Sequence, residues 1–334
     1  MIKFFRKIRK NLLSENKISK YLLYAIGEIV LVIVGILIAL NLNNRSERIA
    51  SKAKVDLIFI EVMKELATNI KLTDKIMSHY ATKDTIYSLI KTKSLTYQDY
   101  KENKIPGLSG YIRGRENITL SQYAFDNLIL NLDAIPLKYS IVLNDLRVLN
   151  SDDKTSFSQY DEKMNDFVEK NIDYQLQNFA WFSESNSSQE QLDKKIHYLL
   201  NDSIYRNVAQ RFNNIGYSHL YFCLAYRKKA IECYQKIGTL MNIKTMDDSF
   251  RLDSELSKNW LGSWGAKQFP DEVVTFYEDN NQLHIKGIRV GAIDAYMLSK
   301  NKIVDEDGYY YSLIRENDEY VFIVDGLEYR KLKI

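Results

Sequence analysis

His219 and Cys223 are the pair of side chains in this sequence whose types and spacing could bind a metal ion. They lie four residues apart on a predicted helix, so both would face the same side of it. No second ligand pair stands nearby in the sequence, and His79, His197 and His284 are isolated. The pattern therefore favours packing in a helical core, and the sequence predicts neither a metal site nor a cofactor.

Glu28 is the one charged residue in the apolar run Tyr21–Leu40. An acid at the centre of a membrane span costs about 2.5–3.5 kcal/mol, and less near an end. A protonated Glu can hydrogen-bond across helices, and a glycine lets two helices approach closely. The predicted association face has heptad spacing and comprises Tyr21, Tyr24, Glu28, Leu31, Gly35, Ile38 and Leu42. Alternatives are that Glu28 reaches toward the cytoplasmic side, bonds Tyr24, or belongs to an ion pathway.

Two motifs near the C-terminus could also bind ligands. Asp305-Glu306-Asp307-Gly308 resembles the start of a calcium loop, but it lacks the remaining ligands and the closing Glu. An Asp-Gly hairpin turn is the favoured interpretation. Gly262-Ser263-Trp264 matches the G-x-W pattern that opens lipocalin-like barrels, although the region is short for an eight-strand ligand barrel. Trp260 and Trp264 are accordingly predicted to be core residues rather than pocket walls.

A third candidate is a tyrosine-rich helix whose aromatic residues alternate with basic ones. A bundle core is the favoured environment, because a tyrosine ring is apolar and its hydroxyl can reach water or a polar partner. A groove for a peptide, glycan or small ligand is the alternative, formed by Tyr217, Tyr221 and Tyr226. The sequence contains no G-x-S-x-G, P-loop, dinucleotide or H-E-x-x-H motif, so we expect no enzymatic activity.

Residues 21–43 are predicted to form a transmembrane helix, because about 20 apolar residues suffice to cross a bilayer. The first 20 residues carry seven basic side chains and one acid, a charge of +6, which leaves −3 for the rest of the chain. Basic flanks stay in the cytoplasm, so we expect residues after about 45 to lie outside it. A cleaved signal peptide is the alternative, but no small-x-small site follows the run.

The basic segment 1–20 is itself patterned. Phe5, Ile8 and Leu12 recur at helical spacing, which is typical of an interfacial helix on an anionic leaflet. The alternative is a topology signal without fixed structure. The predicted lipid headgroup contacts are Lys3, Arg6, Lys7, Arg9 and Lys10. Because the segment adjoins the span, membrane lipid is the expected partner and nucleic acid is not.

The stretch MIKFFRKIRKNLLSENKISKYLLYAIGEIVLVIVGILIALNLNN resembles the opening of a group of uncharacterised single-pass membrane proteins of Bacteroidota. The group shares a basic FFRKIR-type start, an LLSEN-type linker and a YAIGEI-type span. Where members often carry a Trp after the paired Asn, this chain continues with Arg45 and Ser46. The resemblance covers about residues 1–45. It implies a bacterial inner membrane and a periplasmic body, and it implies no function.

Residues 44–250 are predicted to form an elongated helical stalk and antiparallel bundle, because glycine (13) and proline (3) are scarce. Apolar residues from Val55 to Met77 recur every three or four positions, which predicts a rod-like helix with a turn near residues 81–84. Residues 151–153 are predicted to be a cap or loop. Further helices are predicted from Thr119 or Ser121, from Leu137, over 157–182, over 189–201 and over 203–243. Cys223 and Cys233 would be about 15 Å apart on the last helix, so buried thiols are expected rather than a disulfide.

Residues 258–334 are predicted to form a small β domain. Gly, Asn-Asp and Asp-Gly turn signals recur every 8 to 12 residues, and β-rich runs such as VVTFYE and EYVFIV lie between them. The spacing predicts an antiparallel β meander or small barrel.

The expected protein is thus mainly α with a C-terminal all-β part, anchored by a single N-terminal transmembrane helix. The expected function is a non-enzymatic periplasmic scaffold or binding module that forms a homo-oligomer or binds another membrane protein. A ligand sensor that signals through a partner is the alternative. A cell-envelope hydrolase is a third reading, which the absent motifs disfavour.

Overall fold

The computed structural model describes residues 18–184, 188–244 and 257–332, except 267, 280–281, 288–290, 300 and 325. The chain divides into two compact units, Met1–Phe59 and Ile60–Ile334. The described part of the first unit is helical, and the second unit contains helices followed by a β-barrel. The expected fold class of a mainly helical protein with a C-terminal all-β part is confirmed.

The first helix, α1, runs from Ile18 to Lys91 without a break. The turn predicted at residues 81–84 was wrong. Residues 81–84 contain no Gly or Pro. The hydroxyls of Thr82 and Thr85 donate to the carbonyls four residues earlier, at 3.3 and 3.1 Å. The polar side chains that suggested a turn therefore bond within the helix instead of ending it.

Seven further α-helices are described. In chain order they are α2 (Tyr97–Lys101), α3 (Tyr123–Leu130), α4 (Ser140–Val148), α5 (Lys154–Asn178), α6 (Trp181–Glu184), α7 (Gln189–Asn201) and α8 (Ser203–Met241). Short 3-10 turns, Leu132–Ala134 and Leu137–Tyr139, link α3 to α4.

The segment predicted as a cap or loop before α5 is helical. Leu149–Asp153 forms a π-helical turn that joins α4 to α5 directly. The prediction was wrong because Ser and Asp side chains favour caps only where tertiary packing does not decide. Here Leu149 is fully buried and this turn packs against α8.

The apolar stripes of α1 and α8 form the core of the helical part. On α1, the residues of the second unit that are buried at the predicted spacing are Val62, Met63, Leu66, Ile70, Ile76 and Met77. Helix α8 carries buried residues along its whole length and packs on α4, α5 and α7. Cys223 and Cys233 are free thiols within this core, as predicted. Burial raises the pKa of both thiols to about 12, so they are unreactive at neutral pH.

Two polar contacts fix α8 against α1. Arg227 of α8 donates to the carbonyl of Ile70 and the hydroxyl of Thr73, both at 2.8 Å, and pairs with Asp74 at 2.7 Å. Directly beside this contact, the amide of Asn69 donates to the Tyr226 hydroxyl at 2.9 Å. Apart from Arg227 Nε, which has no hydrogen bond, these buried polar groups find partners, and they set the register of the two helices.

The β part is a closed barrel of eight antiparallel strands in sequential order. The strands are β1 (Gly262–Ala266), β2 (Phe269–Asp279), β3 (Gln282–Lys286), β4 (Ala292–Ser299), β5 (Lys302–Asp305), β6 (Tyr310–Glu316), β7 (Glu319–Val324) and β8 (Leu327–Lys331). Closure comes from β1 pairing with β8, with Trp264 opposite Lys331. We expected the region to be short for an eight-strand ligand barrel. Eight strands nevertheless close, four of them only four or five residues long.

Every strand contributes at least one inward side chain to the barrel interior. Trp260 and Trp264 are both fully buried there, which confirms them as core residues. The Trp264 indole donates to the Trp260 carbonyl at 2.9 Å, and edge-to-face contacts link it to Phe276 and Phe322. The interior is therefore filled by aromatic and aliphatic side chains.

The Asp-Gly turn predicted between β5 and β6 is confirmed. The carboxylate of Asp305 accepts hydrogen bonds from the amides of Asp307 and Tyr309, at 3.0 and 2.9 Å. Gly308 has φ +90°, a conformation that suits glycine. The carboxylate thus closes a hairpin rather than a calcium loop.

Candidate functional site

The apolar part of α1 is long and apolar enough to cross a membrane. None of its most apolar 18-residue window is buried within the described structure. Gly35 is open, since a Cβ placed there would meet nothing within 4 Å. Leu31 is 70% exposed, while Glu28 is partly covered. The structure therefore leaves the predicted face around Gly35 accessible to another helix.

Two membrane surfaces were predicted, the association face on α1 and the lipid headgroup contacts, and some of their residues lie outside the described residues. The side chains of Tyr21 and Tyr24 are outside the described residues. Residues 1–17, which contain the predicted headgroup contacts Lys3, Arg6, Lys7, Arg9 and Lys10, also lie outside the described residues. These assignments stay predictions.

The three tyrosines predicted to line a groove on α8 lie in three different environments. Tyr217 contacts the ring of Tyr310 on β6, with centroids 6.4 Å apart. Tyr221 is 43% exposed, and Tyr226 is buried against Asn69. The structure does not bring these three side chains together, and Tyr217 instead belongs to the contact between the helices and the barrel.

Charged side chains join the barrel to the helices. Lys302 of β5 donates to the carbonyl of Ala81, the carboxylate of Asp84 and the hydroxyl of Thr85, at 2.9–3.1 Å. Lys228 of α8 pairs with Glu306 at 2.6 Å on the barrel side. Sequence reasoning missed this contact because its partners are more than 75 residues apart.

Replacing Lys302 with Met is expected to lower the free energy of unfolding by about 1–3 kcal/mol, since charge-assisted hydrogen bonds contribute on that scale and Asp84 would lose its cation. Urea unfolding of the full chain measures the loss. Lys286→Met, at an exposed position of β3, is the matched control. Equal losses in the two variants would contradict the assignment.

Lys83 is a buried lysine in the second unit, at a position where the sequence predicted a turn. Its ammonium donates to the Tyr111 carbonyl at 2.7 Å and lies over the rings of Tyr111 and Phe212, 5.4 and 5.5 Å from their centroids. Gly114 leaves it room, because a Cβ there would lie 2.5 Å from Nζ. Burial lowers the pKa of Lys83 to about 8.

Next to Lys83, a Tyr–His–Asp arrangement links three helices. The Tyr80 hydroxyl of α1 lies 2.8 Å from Nδ1 of His219 on α8, and Asp161 of α5 lies 3.8 Å from Nε2. Burial lowers the pKa of His219 to about 4, so the ring is neutral at pH 7. A neutral ring then accepts from Tyr80 at Nδ1, whereas its Nε2 and Asp161 Oδ1 are too far apart for a hydrogen bond.

The space beside these groups decides what they can do. A cavity of about 10 Å³ lies among Tyr80, Lys83, Asp84, Tyr111 and Tyr217. That volume holds about one water, whereas ligand pockets are typically about 300–1,000 Å³. The Tyr111 hydroxyl has no protein partner and is the group that such a water would satisfy. The cluster therefore positions helices rather than binding a substrate.

His219 and Cys223, the pair at metal-ligand spacing, are both buried on α8. The imidazole packs on Phe157, with ring centroids 4.8 Å apart, and bonds Tyr80. Among the described residues, no group of three His, Cys, Asp or Glu side chains is arranged to hold a metal ion. His219 packs in the helical core, which is the interpretation that the sequence favoured.

A larger depression lies where α5 ends and α7 passes beside it. This end groove has a volume of about 640 Å³. It is lined by Asn178, Phe179, Ala180, Trp181, Gln191, Asp193, Lys194, His197, Tyr198 and Asp202. Sequence reasoning did not single out these residues. The one sign of this groove in the sequence is the closely spaced aromatic group Phe179, Trp181 and Phe182.

The fold and these sites define a class of protein: mainly helical, with a long apolar N-terminal helix and a closed eight-stranded antiparallel barrel. No protein-family model matches the chain, and neither a curated protein nor a solved structure matches it.

Proposed function

We propose that the protein is a membrane-anchored scaffold or binding module that assembles through its apolar helix and has no enzymatic activity. One observation carries the proposal: the most apolar window of α1 has none of its residues buried. Exposing apolar surface to water costs about 25 cal/mol per Å², so the surroundings must cover this helix. A lipid bilayer does so, and it also tolerates a helix whose backbone bonds are internal.

The proposed location is the bacterial inner membrane, with the N-terminus in the cytoplasm and the body in the periplasm. The charge of +6 on residues 1–20 and the resemblance of residues 1–45 support this orientation. Protease added to spheroplasts tests it, since it should digest the barrel without lysis. Protection of the barrel until lysis would contradict the orientation. An intact mass from the membrane fraction that lacks the apolar run would show cleavage of a signal peptide instead.

Assembly through the span is tested at Gly35. Gly35→Leu is expected to weaken self-association by about 1–2 kcal/mol, because a bulky side chain separates two closely packed helices. Glu28→Leu removes the polar part of the same face, with an expected loss of similar size. The measurement is resonance energy transfer between labelled copies in bilayers, titrated against the lipid-to-protein ratio.

Ile33→Phe is the matched control, because Ile33 lies on the side of the helix opposite Glu28 and Gly35. Ile33 is 49% exposed, so the monomer accommodates the larger side chain. Self-association that survives Gly35→Leu and Glu28→Leu, or that is absent from the unmodified chain, would overturn the proposed assembly. Transfer only to a co-expressed membrane protein would indicate a heterologous partner.

A ligand sensor that signals through a partner is the second candidate. The end groove favours it, because its volume of about 640 Å³ falls within the range of ligand sites. Loss of self-association on adding a ligand would support this candidate over a static scaffold.

A further inference from the structure

The end groove combines an aromatic wall with a polar rim. Phe179 is half-buried and stacks on Trp181, with ring centroids 4.9 Å apart and an interplanar angle of 19°. Tyr198 backs Phe179 from α7 at 4.6 Å. Such a wall offers a flat apolar surface that is held rigidly by its neighbours.

The charged residues of the groove already have partners within the protein. Asp193 accepts hydrogen bonds from Tyr97 and Gln189, at 2.5 and 2.7 Å. Lys194 pairs with Glu190 at 2.7 Å. Asp202 caps α8 by accepting from the amide of Ile204 at 2.6 Å. The donors to Asp193 and Asp202 are neutral and leave both carboxylates charged, while Lys194 is offset by Glu190, so the groove disfavours an anionic ligand.

Gln191 supplies hydrogen-bonding capacity that the protein does not use. Its side-chain carbonyl oxygen is buried and has no hydrogen-bond partner. An unpaired buried acceptor costs about 1–3 kcal/mol, so a turn of the Gln191 side chain that brings this oxygen to the groove surface and to a ligand donor is favourable. His197, on the same helix, is exposed at the rim and offers both a donor and an acceptor.

We propose that the end groove binds an uncharged, hydroxyl-rich ring compound, that is, a saccharide. The C–H face of a sugar ring is apolar and fits the wall formed by Phe179. Its hydroxyl groups both donate and accept, which suits Gln191 and His197. An extended peptide fits less well, because the walls are helices whose backbone groups are already bonded and offer no strand edge.

This inference goes beyond assembly through the span and would hold for a monomer. The test uses the full chain in a detergent without sugar groups, titrated with cellobiose or N,N′-diacetylchitobiose and followed by saturation-transfer NMR. We expect saturable binding of at least one disaccharide. Phe179→Ala and Gln191→Leu should each weaken it about tenfold or more, which corresponds to ~1.4 kcal/mol.

Gln177→Leu, an exposed position on α5 outside the groove, is the matched control and should bind as the unmodified chain does. If Phe179→Ala perturbs folding, Gln191→Leu still tests the site, because it preserves the aromatic wall. The proposal is overturned by an absence of saturable binding at about 10 mM, well above the millimolar range of weak sites. Binding that neither variant weakens, or binding of trialanine in place of the sugars, would also overturn it.

Discussion

Trp264→Ala is expected to cost the barrel about 3–5 kcal/mol, the range for truncating a large aromatic side chain in a core. The side chain is fully buried, and its ring contacts Phe276 and Phe322 at 6.4 and 5.3 Å between centroids. The substitution also removes the indole donor from the Trp260 carbonyl. Because the strands are short, few other contacts compensate, and we expect the barrel to open while the bundle persists.

Hydrogen exchange measured peptide by peptide separates these outcomes, since it reports the opening of each region independently. Peptides from β1 to β8 should lose protection in Trp264→Ala, whereas peptides from α5 and α8 away from the barrel should keep it. Phe269→Ala is the control, because Phe269 lies on β2 but is 48% exposed. Similar exchange in the two variants would show that Trp264 does not hold the barrel together.

The β part shows what period-two patterning and turn residues can establish. They predicted short antiparallel strands and the hairpin at Asp305, because both depend on neighbouring residues. Closure into eight strands depends on β1 meeting β8, with Gly265 opposite Arg330. That pairing joins the two ends of the domain, and no local pattern records it. Strands of four or five residues also carry too few alternations to be counted reliably from sequence.

The helical errors have a different cause. At residues 81–84 and 151–153, polar side chains suggested that the backbone leaves the helix. In both places the helix continues because tertiary packing outweighs a local preference worth only tenths of a kcal/mol per residue. The tertiary contacts at these two places are the burial of Lys83 against the Tyr111 carbonyl and the packing of Leu149 in the core.

No sequence motif reveals the buried polar cluster formed by Tyr80, Lys83 and His219. Tyr80 and His219 are separated by 139 positions, and Lys83 bonds a carbonyl 28 positions away. The available signal was the spacing of Tyr80, Lys83 and Tyr87, which lie three and four residues apart on α1. The apolar helix is the opposite case, since twenty apolar residues are a property of one local stretch.

Acidification from pH 7 to pH 4 is expected to destabilise the helical bundle by up to about 3 kcal/mol through His219 alone, at 1.36 kcal/mol per pKa unit. Burial lowers the pKa of this imidazole from 6.5 to about 4. The unfolded chain therefore takes up a proton below pH 6.5 that the folded protein refuses. The stability contributed by neutral His219 is complete above pH 6.5 and is lost by about pH 4.

Neighbouring groups also change protonation as the pH falls. The loss of stability on acidification must therefore be compared between the unmodified chain and a variant. Burial also lowers the pKa of His79 to about 4, which adds to the acid loss, whereas burial raises the pKa of Asp161, which opposes it. Urea unfolding at several pH values should therefore be compared between the unmodified chain and His219→Gln. The variant should be less stable at pH 7 but lose less on acidification. His197→Gln, which replaces an exposed imidazole with the same side chain, is the matched control. If His219→Gln loses as much stability between pH 7 and pH 4 as the unmodified chain, the buried imidazole is not what makes the bundle acid-labile.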